Sequence, residues 1–137
     1  MFEIKFEVEY YTETHQKLNL KITENMWKII SIEIINKLNE KILNILSNNF
    51  SFIGNYYNQI FYLTSENILY NNEKTKKEIE IIEDIIGYEV LKQIEKYIKN
   101  YENVKIVSVK SNVVLNSYKR KTEQDNSFPT CKKIKLR

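Results

Sequence analysis

His15 and Cys131 are the only histidine and the only cysteine among 137 residues, and they bound the available chemistry at once. A Ser-His-Asp or Cys-His arrangement would have to use His15. That residue stands in a predicted turn, Thr12 to Gln16, among polar and charged neighbours, so a solvated turn histidine is expected. A structural zinc site needs about four Cys or His ligands, so no metal centre is expected, and one cysteine makes no internal disulfide. Gly54 and Gly87 are the only glycines and stand apart, which excludes a phosphate loop or a dinucleotide fingerprint. Glu83-Asp84 is the only adjacent acidic pair. Neighbours on a helix point about 100° apart, so the two carboxylates do not converge on one substrate atom. The chain is therefore expected not to be an enzyme on its own, with no catalytic residue, no cofactor and no small-molecule substrate.

Binding chemistry is better represented. Tyr10-Tyr11 and Tyr56-Tyr57 offer aromatic faces on which bases can stack. The expectation is instead that one Tyr of each pair fills the edge of the core and the other lies at the surface. Trp27 has helical spacing with Ile30 and Ile34, so packing is its expected role. The sharper signal is basic. Lys119-Arg120-Lys121, ten intervening residues, then Lys132-Lys133-Ile134-Lys135 has the spacing of a bipartite nuclear-import signal, with Pro129 shortly before the second cluster. An acidic, aromatic-lined groove on an import receptor reads such a cationic peptide in extended form. Nuclear localisation, including the nucleolus, is the corresponding expectation, with non-specific RNA contact as a secondary use.

Charge is unevenly divided. Residues 1–118 hold 14 Lys and 16 Asp or Glu, a net −2, whereas residues 119–137 hold seven Lys or Arg and two acids, a net +5. A domain that gripped nucleic acid mainly through its body would be basic there. The alternating start Phe2-Glu3-Ile4-Lys5-Phe6 is unlike a signal peptide. The apolar runs are too short to span a bilayer, so a soluble intracellular protein with no membrane partner is expected.

These residues need elements to hold them. Phe2, Ile4, Phe6, Val8 and Tyr10 alternate with Glu3, Lys5, Glu7 and Glu9, the period of a half-buried strand. Leu18, Leu20 and Ile22 alternate with Lys17, Asn19 and Lys21 and read as a shorter second strand or an extended segment. Thr23 is the expected N-cap of a helix carrying Trp27, Ile30, Ile34, Leu38, Ile42 and Ile45, ended by Ser47-Asn48-Asn49. Gln59 to Leu63 and Ile68 to Tyr70 read as a hairpin around Thr64 to Asn67. Asn72 is the expected cap of a second helical region with Ile79, Ile82, Ile86, Val90, Ile94, Tyr97 and Tyr101, bent or broken near Gly87. Val104 to Val109 reads as a strand, and Ser111 or Asn112 as the start of a short final helix through Tyr118. The expected fold is an α/β (α+β) sandwich over residues 1–118: a mixed or antiparallel sheet of about five strands with helices on one face. Residues 119–137 are expected to form a basic, disordered tail.

The element order, with three segments, resembles the small protein subunits of ribonuclease P and its relative ribonuclease MRP, the fourteen-kilodalton subunit and its paralogue. The segments are the opening strand Phe2-Glu-Ile-Lys-Phe-Glu-Val-Glu-Tyr10 with its helix after Ile22-Thr23, the stretch Phe61-Tyr-Leu-Thr-Ser-Glu-Asn-Ile-Leu-Tyr70, and the closing stretch from Val104 to Tyr118. The resemblance covers about residues 1–118. One branch of the family has a Val-Ser-Gly-Thr-Ile-Arg type motif at the last strand. Val109-Lys110-Ser111-Asn112-Val113-Val114 lacks its Gly, Thr and Arg, which points to the fourteen-kilodalton branch. The resemblance implies a non-catalytic subunit of an RNA-based endoribonuclease that matures the 5′ end of precursor tRNA, with other protein subunits and structured RNA as partners. RNA contact would then fall on Lys105, Lys110, Lys119, Arg120 and Lys121. The other reading is a small protein-interaction subunit of a transcription or trafficking complex without RNA binding.

Overall fold

The computed structural model describes residues 2–41, 50–65, 73–99, 101–115 and 130–135. Strand β1 (Phe2–Tyr11) follows the period of two foreseen for it, with Ile4, Phe6, Val8 and Tyr10 buried and the Glu and Lys residues between them half-exposed. A two-residue strand, β2 (Lys17–Leu18), pairs with the end of β1. Helix α1 (Glu24–Lys41) is capped by Thr23, whose Oγ1 accepts from the Met26 N–H at 3.3 Å while its carbonyl accepts from the Trp27 N–H at 2.9 Å. Trp27, Ile30, Ile34 and Leu38 form the buried stripe of α1.

Strands β3 (Phe50–Asn55) and β4 (Ile60–Ser65) form a hairpin closed at residues 56–59. Helix α2 (Glu73–Ile98) precedes β5 (Ile106–Leu115), and β6 (Thr130–Lys135) completes the sheet. The strand order is β3-β4-β1-β5-β6, every pair antiparallel, with β2 beside β1. Antiparallel pairing, about five strands and two helices on one face are as expected from the sequence. Elements β1-α1-β3-β4-α2-β5, with strand order β3-β4-β1-β5, have the connectivity of a ferredoxin-like split βαβ unit.

Directly opposed residues in an antiparallel ladder share a face. Phe6 lies opposite both Phe61 and Ser111. The Phe61 ring stacks on Trp27 of α1 at 4.3 Å, and Ser111 donates to Glu83 of α2 at 2.6 Å. Both helices therefore cover the same face, and the core lies between them and the sheet. Its largest fully buried side chains include Trp27, Tyr10, Phe6 and Phe61.

Four local expectations change. The hairpin partner of β4 is β3 before it; Ile68 to Tyr70 lie outside the described residues. The turn is set by Asn55, whose Oδ1 accepts from the Tyr57 and Asn58 N–H groups, and by Gln59 at φ 56°. Helix α2 runs unbroken through Gly87, because burial of Ile82, Ile86 and Val90 around it outweighs a propensity cost of about 1 kcal/mol. No helix starts at Ser111 or Asn112. Strand β5 continues to Leu115 because all ten of its residues pair with β1, and Val113 and Val114 are β-branched. Finally, Thr130–Lys135, expected within the disordered tail, is paired along its length with β5 from Ile106 to Ser111. Backbone pairing with an open strand edge offers an extended, aperiodic segment a partner that its own pattern does not reveal. The expected continuation of α1 through Ile45, the Asn72 cap, the segment to Tyr118 and the rest of the tail lie outside the described residues.

Candidate docking face

The side of the sheet away from the two helices is built by alternation, and part of it is closed, since Ile60, Ile106 and Ser108 on that side are buried. Strand β1 sends Glu3, Lys5, Glu7, Glu9 and Tyr11 to the side opposite the helices. The ladders place Ile60, Tyr62 and Thr64 of β4 beside them on one flank and Ser108, Lys110, Asn112 and Val114 of β5 on the other. Farther out, β3 contributes Ser51, Ile53 and Asn55, and β6 pairs along the outer edge of β5. Among the described residues no helix covers this face. Its charge changes in bands: uncharged on β3 and β4, mainly acidic on β1, and basic on β5 at Lys110.

The best-defined cluster centres on Glu9. Its Oε2 lies 3.1 Å from Lys17 Nζ, and its Oε1 lies 3.1 Å from Lys110 Nζ. Oε1 also accepts the Tyr11 hydroxyl at 2.7 Å. Partial burial alone would raise the Glu9 carboxyl. The Tyr11 hydrogen bond and the two ammonium groups outweigh it and pull the carboxyl down from 4.5 to about 2. Glu9 is thus a fixed anion that holds Lys110 across the β1–β5 seam.

The sequence-predicted residues distribute unevenly over this surface. Lys110 is half-exposed and engaged with Glu9. Lys105 enters β5 with its N–H donating to the Tyr11 carbonyl at 2.9 Å, so both expected RNA-contacting lysines of the domain flank Tyr11 and Glu9. In the register of β6, Lys132, Lys133 and Lys135 pair with Val109, Ser108 and Ile106 of β5. Lys119, Arg120 and Lys121 lie outside the described residues. His15 is exposed at φ 69° in its turn, as a solvated turn residue. Glu83 and Asp84 do diverge: Glu83 is buried against Ser111 and Asp84 is exposed. Tyr10 is buried while Tyr11 is half-exposed, and Tyr56 packs on the core while Tyr57 is 70% exposed.

Sequence reasoning missed Gln59. It is buried, accepts the Tyr10 hydroxyl at 3.0 Å and the Ile22 N–H at 3.3 Å through Oε1, and donates from Nε2 to the Tyr56 carbonyl at 2.9 Å. It ties the hairpin turn to β1 and to the entry of α1. Burial, with Tyr101 nearby, pushes the Tyr10 phenol well above its usual range. A glutamine in a polar turn carries no sequence signal for such a role. Among the described residues no group of His, Cys, Asp and Glu is arranged to hold a metal, and no helix is long and apolar enough to cross a membrane.

Comparison with protein-family models, with curated proteins and with solved structures finds no match for this chain.

Proposed function

We propose that this chain is a non-catalytic protein subunit of a ribonuclease P/MRP-type ribonucleoprotein, supporting 5′ maturation of precursor tRNA in the nucleus. The observation that carries the reading is the sheet face away from the helices, where the acidic row of β1 lies beside Lys110 of β5. A face of that kind can set its basic flank at Lys110, next to the lysine-rich strand β6, toward phosphates and leave its neutral flank for a protein neighbour. The described parts of the three segments that resemble the family, residues 2–10, 61–65 and 106–115, also lie in one sheet. In this reading the partners are other protein subunits and structured RNA, with RNA held weakly by this chain alone. Catalysis belongs to the RNA.

A tagged full-length chain, purified from its own cells with its bound RNA sequenced, tests the proposal. Recovery of ribonuclease P or MRP RNA with companion subunits is the expected result. Absence of both rules it out. The second reading, a protein-interaction subunit without RNA, is favoured by the row Glu3, Glu7 and Glu9 along the central strand, since carboxylates repel phosphate. It gains if only proteins are recovered and ribonuclease treatment changes nothing.

A further inference from the structure

The two outer strands of the sheet differ in chemistry. Strand β6 reads Thr-Cys-Lys-Lys-Ile-Lys, and lysines on an edge oppose pairing with a second edge of the same kind. Strand β3 reads Phe-Ser-Phe-Ile-Gly-Asn, with no charge and no proline. It pairs along its whole length with β4 and, among the described residues, with nothing on its other side. Ile53 on the uncovered face is 61% exposed. The strand is also held firmly from within. Gly54 lies against Ser31 and Trp27 of α1, and Asn55 is fixed by its two turn hydrogen bonds. Such an edge is ordered before any partner arrives.

We propose that β3 is a homodimerisation edge, pairing antiparallel with β3 of a second copy about a two-fold axis at Ile53. The strand is self-complementary in that register. A two-fold axis perpendicular to the sheet keeps both sets of helices on one side and opposes odd positions to odd and even to even. Centred on Ile53, it sets the two Ile53 side chains against each other and each Ser51 against Asn55 of the other copy. On the helix side it sets each Phe52 opposite Gly54, the residue with no side chain. Centring on Phe52 would instead oppose Ser51 to Ile53, a polar group to an apolar one. No like charges meet in the Ile53 register, whereas two copies of β6 would bring lysines together. The contact is one strand wide, so the dimer forms at about micromolar to tens of micromolar concentration.

Sedimentation of the full chain between about 1 and 200 µM, a range spanning that affinity, tests the idea. The expected result is a rise from 16.5 kDa toward twice that mass. Ile53→Lys places two ammonium groups face to face and should keep the protein monomeric throughout, with circular dichroism unchanged and, at about 1 µM where wild type is also monomeric, an unchanged melting temperature because the side chain is exposed. In a Cys131→Ser background, Ile53→Cys should form a disulfide-linked dimer under mild oxidation, since directly opposed cross-strand residues lie within bridging distance. Ser51→Cys should not, being opposed to Asn55. A wild-type chain that stays monomeric across the range overturns the proposal, as does an Ile53→Lys variant that dimerises as wild type does. Equal crosslinking of the two cysteine variants overturns the Ile53 register.

Discussion

Replacing Gly54 by Ala probes how α1 is seated on the sheet. Gly54 does not have a positive φ, so its requirement is space rather than backbone conformation. A Cβ at this position would lie 2.6 Å from Ser31 Oγ, 2.8 Å from Trp27 Nε1 and 3.1 Å from Phe61 Cδ1. Ser31 Oγ can rotate away, but it then gives up its 2.9 Å bond to the Trp27 carbonyl, worth about 1 kcal/mol. Trp27 has no such freedom, because its ring is stacked on Phe61, which is itself stacked on Phe52. The helix must move. Overpacking of this kind costs about 1–3 kcal/mol, partly offset by about 0.4–1 kcal/mol from a less flexible unfolded chain. The expected net loss is about 1–2 kcal/mol, or roughly 3–8 °C in Tm for a domain of this size. Urea unfolding followed by the fluorescence of Trp27, the sole tryptophan, measures the loss and reports displacement of the ring in the same experiment. In Ser31→Ala/Gly54→Ala one clash is gone, so the double variant should be about 0.5–1 kcal/mol more stable than the sum of the singles. Gly54→Ala stability within about 0.5 kcal/mol of wild type, with unchanged emission, would refute the close-approach argument.

Other substitutions probe the remaining anchors. Glu9→Gln should cost about 1–2 kcal/mol at neutral pH, a figure reduced for the solvent exposure of Lys17 and Lys110. The folded-state carboxyl, at about 2, lies below the ordinary 4.5. The stabilisation is therefore complete above pH 4.5 and lost as pH falls toward 2, and the stability curves of wild type and variant should converge over that interval. Parallel curves would contradict the assignment. Gln59→Ala leaves the buried Tyr10 hydroxyl and Ile22 N–H without their acceptor and should cost about 2–3 kcal/mol, against about 1 kcal/mol for Tyr10→Phe; equal losses in chemical denaturation would place the cost elsewhere. Ser111→Ala should cost about 1–2 kcal/mol by removing the donor to buried Glu83, measured in the same way. For the basic cluster, replacing Lys132, Lys133 and Lys135 together by Ala should move a fluorescent fusion too large to diffuse out of the nucleus. Unchanged nuclear accumulation would remove these residues from any import signal.

What the sequence by itself determined is periodic. The alternation of Phe2 to Tyr10 established β1 and its buried face, and the three- and four-residue spacings established the inner stripes of α1 and α2. Thr23 marked the start of α1 because an N-cap acts within three residues. Single residues also bounded the chemistry, since one His and one Cys are too few for most sites. What only the tertiary structure decided depends on partners far away in the chain. Strand β5 outlasts its apolar pattern because β1 pairs with all ten of its residues, and Thr130–Lys135 is a strand because it pairs with β5. Glu9 gains its low carboxyl from Lys17 and Lys110, which come from separate strands. Gly54, isolated in the sequence, lies where α1 approaches the sheet too closely to leave room for a Cβ. Local pattern reports how a segment can bury its own apolar side, whereas register, cross-strand charge and close approach are properties of pairs and exist only once the sheet has formed.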